Sequence, residues 1–325
     1  MTNWLYGERY QLHILETPQA MQAVEDLQRA VWSGSETEIV PAHLLLAIAH
    51  HGGLVIGAYC LPQNAAVTEQ AGLPPCEAGS PCAELAGFVL GFPGLYDTPD
   101  GPRLKQHSHM LGVHPAHRNQ GLGFVLKRAQ WQMVRRQGID RITWTYDPLL
   151  SRNAHLNIAR LGAVCNTYLR DVYGELRDDL NAGLSTDRFQ VDWWVNSKRV
   201  VRRLSKTPRG SLDLAHFLAA ETPMINPTHI AEDGLARPSA GEIEIPPDAA
   251  LLLVEIPADF QALRAADPSL ASEWRLHTRH LFERLFERGY LVTDFVHLPG
   301  TYPRSFYVLS DGESLLGGLI GVTHP

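Results

Sequence analysis

The side chains best suited to chemistry stand close together, in the run His107-Ser-His109-Met-Leu111-Gly112-Val113-His114-Pro-Ala-His117-Arg118-Asn119-Gln120-Gly121-Leu122-Gly123-Phe124. Imidazole titrates near neutrality, so His107 and His109 can exchange protons with a substrate at ordinary pH. Alternation up to Val113 predicts a half-buried strand with His107, His109, Leu111 and Val113 on one face. Pro115 ends that strand. Gly121 and Gly123 fall where a tight loop passes into an amphipathic helix carrying Phe124, Leu126, Ala129, Trp131, Met133 and Val134. Glycine permits a sharp turn and leaves no side chain between main-chain N–H groups and a ligand, and the helix start adds positive potential. Strand, loop and helix start together read as an anion cradle beside two proton carriers.

The elements that must position this cradle follow from periodicity. Tyr10 to Glu16 alternates as a strand. Thr17-Pro18 opens a helix through Met21, Val24, Leu27 and Val31. Pro41 to His50 reads as a short helix, Gly53 to Cys60 as a buried strand, Pro62 to Pro81 as an exposed insertion, and Glu84 to Phe92 as the returning strand. Beyond the cradle helix, Ile139 to Asp147 alternates with Ile142, Trp144 and Tyr146 on one face. Asn166 to Tyr173 and Arg188 to Val195 are two more strands. Residues 201–248 are linker-like, and the basic run from Lys198 to Arg203 is expected to be a solvated strand end or linker. The tail has a strand from Ala250, a helix capped by Asp267-Pro268 and running to Gly289, and strands at Tyr290–Val296 and Ser305–Leu309. The expected fold class is α/β with a mixed sheet, with a first domain over 1–200, a linker over 201–248 and a smaller strand-helix-strand domain over 249–325.

A net charge of −7, with no long basic face, argues against nucleic acid as a partner. The start of the chain has no apolar core of signal-peptide length and no apolar run approaches a membrane span, so the expectation is a cytoplasmic protein without a membrane partner. Cys60, Cys76, Cys82 and Cys165 lack paired C-x-x-C spacing, so neither a disulfide framework nor a metal site is expected. His114 and His117, past the strand end, are expected to be exposed.

Arg118-x-x-Gly121-x-Gly123, directly after a strand ending in Val113, resembles the acyl-CoA-binding signature of the GNAT acyltransferases. The longer segment from His107 to Gly123 is similar to that of the arylalkylamine N-acetyltransferases within them. The resemblance implies a GNAT fold over 1–200 with acetyl-CoA, or another acyl-CoA such as succinyl-CoA, as donor. The CoA diphosphate would be held by Arg118, Asn119, Gln120, Gly121, Leu122, Gly123 and Phe124, and the acyl arm would run along Leu111, Gly112 and Val113. His109 would serve as base, with His107 behind it, and the acceptor would be the primary amine of a small molecule.

Ser151 to Ala163 is similar to the family helix that ends in a Gly-Phe pair, with two departures. Ile158 stands where many members carry a tyrosine that protonates the departing thiolate, and Ala163 replaces the phenylalanine. Tyr146, Asn157 and Tyr168 are the candidate replacements for that acid, and Trp194 is a candidate wall of the acceptor pocket. Arg275 and Arg279, one helical turn apart, could grip a carboxylate. That pairing would suit a succinyl-CoA-dependent amino-acid N-acyltransferase, a reading implied by the likeness to long bacterial GNAT proteins. A non-catalytic acyl-CoA sensor is the competing class, and a homodimer is compatible with either.

Overall fold

A computed structural model describes residues 4–6, 9–32, 36–60, 84–174, 184–205, 212–239, 241 and 243–312. The chain divides into two units, Met1–Ile142 and, in the main, Thr143–Pro325. The expected insertion, with Cys76 and Cys82, lies outside the described residues.

In the first unit, β1 (Trp4–Tyr6), β2 (Tyr10–Ile14), β3 (Leu54–Cys60), β4 (Glu84–Tyr96) and β5 (Arg103–Val113) pair antiparallel in that order. Helix α1 (Pro18–Val31) starts as its sequence dictates. Thr17 accepts the Ala20 N–H at 3.3 Å, and Pro18 occupies a first-turn position whose N–H would have had no partner. With Leu45 of α2 (Ala42–His50), α1 buries Met21, Val24 and Leu27 against Val55, Phe88 and Leu90. The opposite sheet face, with Leu12, Ile56 and Val89, takes Leu122, Val125, Leu126 and Ala129 of α3 (Leu122–Arg136). Strands β3 and β4 are covered on both faces, which explains their near-continuous apolar sequences.

One irregularity governs the site. Leu90 of β4 stands opposite Met110 and Gly91 opposite Ser108, so His109 is an extra residue on β5, a β-bulge. The alternation expected through to Val113 therefore breaks at His109.

The division between the units falls within β6 (Arg141–Tyr146). Helix α4 (Ser151–Ala154) widens into a π-helical turn over His155–Arg160. There follow β7 (Val164–Leu169), β8 (Arg188–Trp194), α5 (Lys198–Arg203), α6 (Leu214–Ala219), the two-residue strands β9 (His229–Ile230) and β10 (Ala236–Arg237), β11 (Leu251–Ile256), α7 (Phe260–Ala266), α8 (Pro268–Glu287), β12 (Tyr290–Leu298) and β13 (Arg304–Asp311). The strand order in this unit is β6-β8-β7-β12-β13-β11.

Val292 of β12 pairs with Cys165 of β7, so the C-terminal strands extend the sheet of this unit, and the two units divide at 142/143. Residues 201–248 contribute contacts to the same unit. Met224 bridges to Leu253, and the Asn226 amide closes on the main chain of Glu255 at 2.7 and 2.9 Å. The basic run is α5, and it is not a solvated end: Arg199 donates to the carbonyls of Gly162, Ile158 and Thr293, and Arg203 to that of Ala159. Two of these carbonyls, of Ile158 and Ala159, belong to the π-helical turn, where the regular helical pairing is interrupted.

Candidate functional site

The loop before α3 has the geometry of an anion cradle. Asn119 and Gly121 both adopt left-handed backbone, with φ of 64° and 78°. A Cβ on Gly121 would meet nothing within 4 Å, so the glycine serves the backbone conformation and an open approach, not packing. The Phe124 and Val125 N–H groups return to the Gly121 carbonyl at 3.1 and 3.3 Å. Among the described residues, the N–H groups of Asn119, Gln120, Gly121, Leu122 and Gly123 engage no protein acceptor. These unsatisfied donors at a helix start are what an oxyanion requires.

The side chains of the loop hold it in place. Leu122 is anchored in the core below α3. Exposed Arg118 folds back on the carbonyls of Val113 (3.4 Å) and Val31 (3.3 Å). Gln120 is tied by its side chain, accepting from Arg9 at 2.9 Å and Tyr10 at 2.7 Å and donating to the Ala116 carbonyl at 3.2 Å. Gly112 is a packing glycine, since a Cβ there would lie 2.6 Å from the Phe88 ring. Only its main chain is available to a ligand.

The histidines stand on one face of β5, but not with Leu111 and Val113. Phe92 lies against both imidazoles, at ring separations of 5.2 Å to His107 and 5.7 Å to His109, and the two imidazoles are 5.9 Å apart. Leu111 and Val113 pack on the α3 side with Leu122 and Leu126. The bulge at His109 reverses the side-chain direction between the two pairs, which a strict period of two cannot anticipate. Burial pushes His107 down to about 4, helped by the charges of His109, Lys105 and Lys127. Burial also lowers His109, the more exposed ring. Both are neutral at pH 7.

Behind this strand lies a polar layer that the sequence reading missed. Ser108 and Gln106 point toward α3, where buried Lys127 donates to Ser108 Oγ at 2.9 Å and Gln130 Oε1 at 3.0 Å. Gln130 Nε2 donates to Gln106 Oε1 at 2.8 Å. Burial lowers the Lys127 ammonium well below the usual lysine range. The available signal was the pair Gln106 and Ser108 alternating with the histidines, which makes the strand polar on both faces.

The second unit places the remaining candidates, and most are engaged. Arg275 is buried and grips Asp147 through both terminal nitrogens, with Arg188 3.8 Å away on the same carboxylate. Arg279 holds Asp187 through two bonds, at 2.7 and 2.8 Å, and donates to Ser185. Each of the two arginines expected to grip a substrate carboxylate is bonded to a protein carboxylate. Tyr146 is buried with its hydroxyl on that of Tyr307 at 3.1 Å, and burial raises it far above the usual phenol range. Tyr168 donates to Asp187 at 2.8 Å, and burial raises it as well. Both phenol hydroxyls thus have protein partners. Asn157 is largely buried on the π-helical turn, with its carbonyl accepting from Ala163, and Trp194 is half-buried on β8.

His117 also departs from expectation. It is buried, 6% exposed, and close to Tyr10, Glu84 and His114. No described helix is long and apolar enough to cross a membrane.

Neither a family model nor a curated protein matches the chain. Among solved structures, it is similar to Arabidopsis thaliana NAA60 in complex with acetyl-CoA, at 14% identity and a TM-score of 0.42 over 58% of this chain and 99% of that one. It is similar to the ribosomal-protein-S5-alanine acetyltransferase from Vibrio fischeri at 12% identity and a TM-score of 0.41, over 61% and 98% of the two chains. A third is aminoglycoside 6'-acetyltransferase type Ii, at 15% identity and a TM-score of 0.39, over 57% and 98%. Identities this low carry no function from those proteins to this chain.

Proposed function

We propose that the protein is a CoA-dependent N-acyltransferase of the GNAT type, moving an acetyl or other short acyl group to the primary amine of a small molecule. The observation that carries this reading is the row of unengaged N–H groups from Asn119 to Gly123, at the start of a helix and next to a strand bearing two neutral imidazoles. The diphosphate of the donor would sit on those donors, with the helix start supplying positive potential. Its acyl arm would extend past β5 to the face where His107 and His109 stand.

Amine attack on a thioester forms a C–N bond, breaks the C–S bond and releases one proton from nitrogen. His109 takes that proton, through a water, as the more open of two neutral rings. His107, held to about 4, is too weak a base for the task and acts by orienting its neighbour and its water. With both tyrosines engaged elsewhere, the thiolate leaves unaided. A thiol pKa near 8.5 makes that tolerable.

The test is thiol release from acetyl-CoA against a panel of amines, amino acids and amino sugars, alongside direct measurement of CoA binding. Release with at least one amine is expected, with Gly121→Val abolishing CoA binding because its φ of 78° disfavours a branched residue. CoA binding without release from any amine would favour the sensor over the enzyme. CoA binding that Gly121→Val leaves unchanged would overturn the cradle itself.

A further inference from the structure

We propose that Glu84, His114 and His117 bind a divalent transition-metal ion, zinc by its ligand chemistry, at the root of the anion loop. The three come from the first residue of β4, the residue after β5 and the turn that leads into the loop. One ligand atom from each lies within 4.8 Å of the others. Two imidazoles and one carboxylate, with water as a fourth ligand, form a donor set that zinc favours, although His114 must first give up the long 3.3 Å bond by which its Nδ1 accepts the Ala116 N–H.

The hydrogen bonds around His117 supply an independent argument. Arg9 can only donate, so the Gln120 atom that it meets at 2.9 Å is the carbonyl oxygen, and the Gln120 amide nitrogen is correspondingly bonded to the Ala116 carbonyl. Tyr10 has one proton and places it on that same Gln120 oxygen at 2.7 Å. At its 3.0 Å contact with His117 Nδ1 the phenol must therefore accept, so Nδ1 carries hydrogen. In the neutral ring Nε2 then presents its lone pair to Glu84 Oε2, 3.9 Å away. A lone pair facing a carboxylate is repulsive unless a cation stands between them. A ligating histidine whose second nitrogen donates to a fixed acceptor is the usual outer-shell arrangement at zinc. The Tyr10–Gln120–Arg9 chain would fix the ring here and tie the metal to the loop that carries Asn119 and Gly121.

The full-length protein, stripped with chelator, is titrated with Zn2+ by equilibrium dialysis and with Co2+ by its visible absorption. About one ion per chain is expected, with the intense absorption of low-coordinate cobalt. Glu84 has an exposed side chain, so Glu84→Gln is expected to melt like the unaltered protein in chelator. It should nevertheless lose at least about tenfold in zinc affinity, as should His117→Gln, while Tyr10→Phe weakens binding about tenfold through the ring orientation. If His117→Gln fails to fold, Glu84→Gln carries the test. No uptake of either ion, or uptake unchanged in Glu84→Gln, would overturn the site. So would a His117 ring still protonated above pH 7 in the NMR spectrum, paired with Glu84 in place of a metal.

Discussion

His107 and His109 are the same residue two positions apart, yet the fold leaves them different work. Burial and three neighbouring charges hold His107 to about 4, whereas His109 is lowered by burial alone and keeps an exposed edge. The rate should therefore rise with pH along a limb with an apparent pKa below 6.5 and level off by neutrality, read from kcat/KM at saturating acetyl-CoA. His109→Gln should lower kcat about a hundredfold, the usual contribution of a positioned base, with little change in the KM for acetyl-CoA. The pair was legible in the sequence because its chemistry is local. Arg275 and Arg279 were legible only as a spacing. Their partners Asp147 and Asp187 lie 128 and 92 residues away, and no pattern in one sequence joins them. The consequence is a stability effect and not a catalytic one. Arg275→Ala leaves the buried Asp147 carboxylate only the more distant Arg188 as counter-charge and should cost about 3 kcal/mol in urea unfolding, whereas replacing Asp147 and Arg275 together by leucine and methionine should cost less.

At the scale of elements, strands and helices followed hydrophobic period closely, and the misreadings fell where backbone geometry departs from regular repeats. The α3 helix, its left-handed entry and the strands around it could be read from Pro115, Gly121 and the apolar positions. The bulge at His109 could not, because one inserted residue leaves composition unchanged while reversing every later side chain. Gly91, opposite the bulge, explains how β4 accommodates the polar layer. A Cβ there would lie 2.8 Å from Gln130 Nε2 and 2.9 Å from Gln106 Oε1. Gly91→Ala should accordingly displace that pair, costing about 1–3 kcal/mol in urea unfolding. The α5 run was likewise read as solvated, since nothing local shows that the neighbouring helix opens into a π-turn. Arg203 satisfies the Ala159 carbonyl and pairs with Asp294, so Arg203→Ala should destabilise while Arg202→Ala, facing solvent, should not.

For the whole molecule, each unit contains a histidine that the fold keeps neutral, and this gives the chain a common response to acid. His107 in the first unit and His277 in the second are both held to about 4, chiefly by burial. For His277 the hydrogen bonds explain why a proton is unwelcome. Asn226 donates through Nδ2 to the Glu255 carbonyl and accepts the Glu255 N–H through Oδ1, so its orientation is fixed. The same Nδ2 faces His277 Nε2 at 3.2 Å, where a protonated ring would set donor against donor. Unfolded, both rings return to about 6.5. Between about 6.5 and about 4 the unfolded chain therefore binds more protons than the folded one, and stability rises with pH across that interval. The contribution is complete above the unfolded value and is lost as pH falls through the folded one. The urea midpoint should thus drop steadily from pH 7 to pH 4, ahead of most carboxylate protonation. His277→Gln retains an acceptor for Asn226 and cannot titrate, so it should flatten the part of that slope belonging to the second unit. An unchanged slope in that variant would mean that His277 is already charged in the folded protein and that Asn226 is turned the other way.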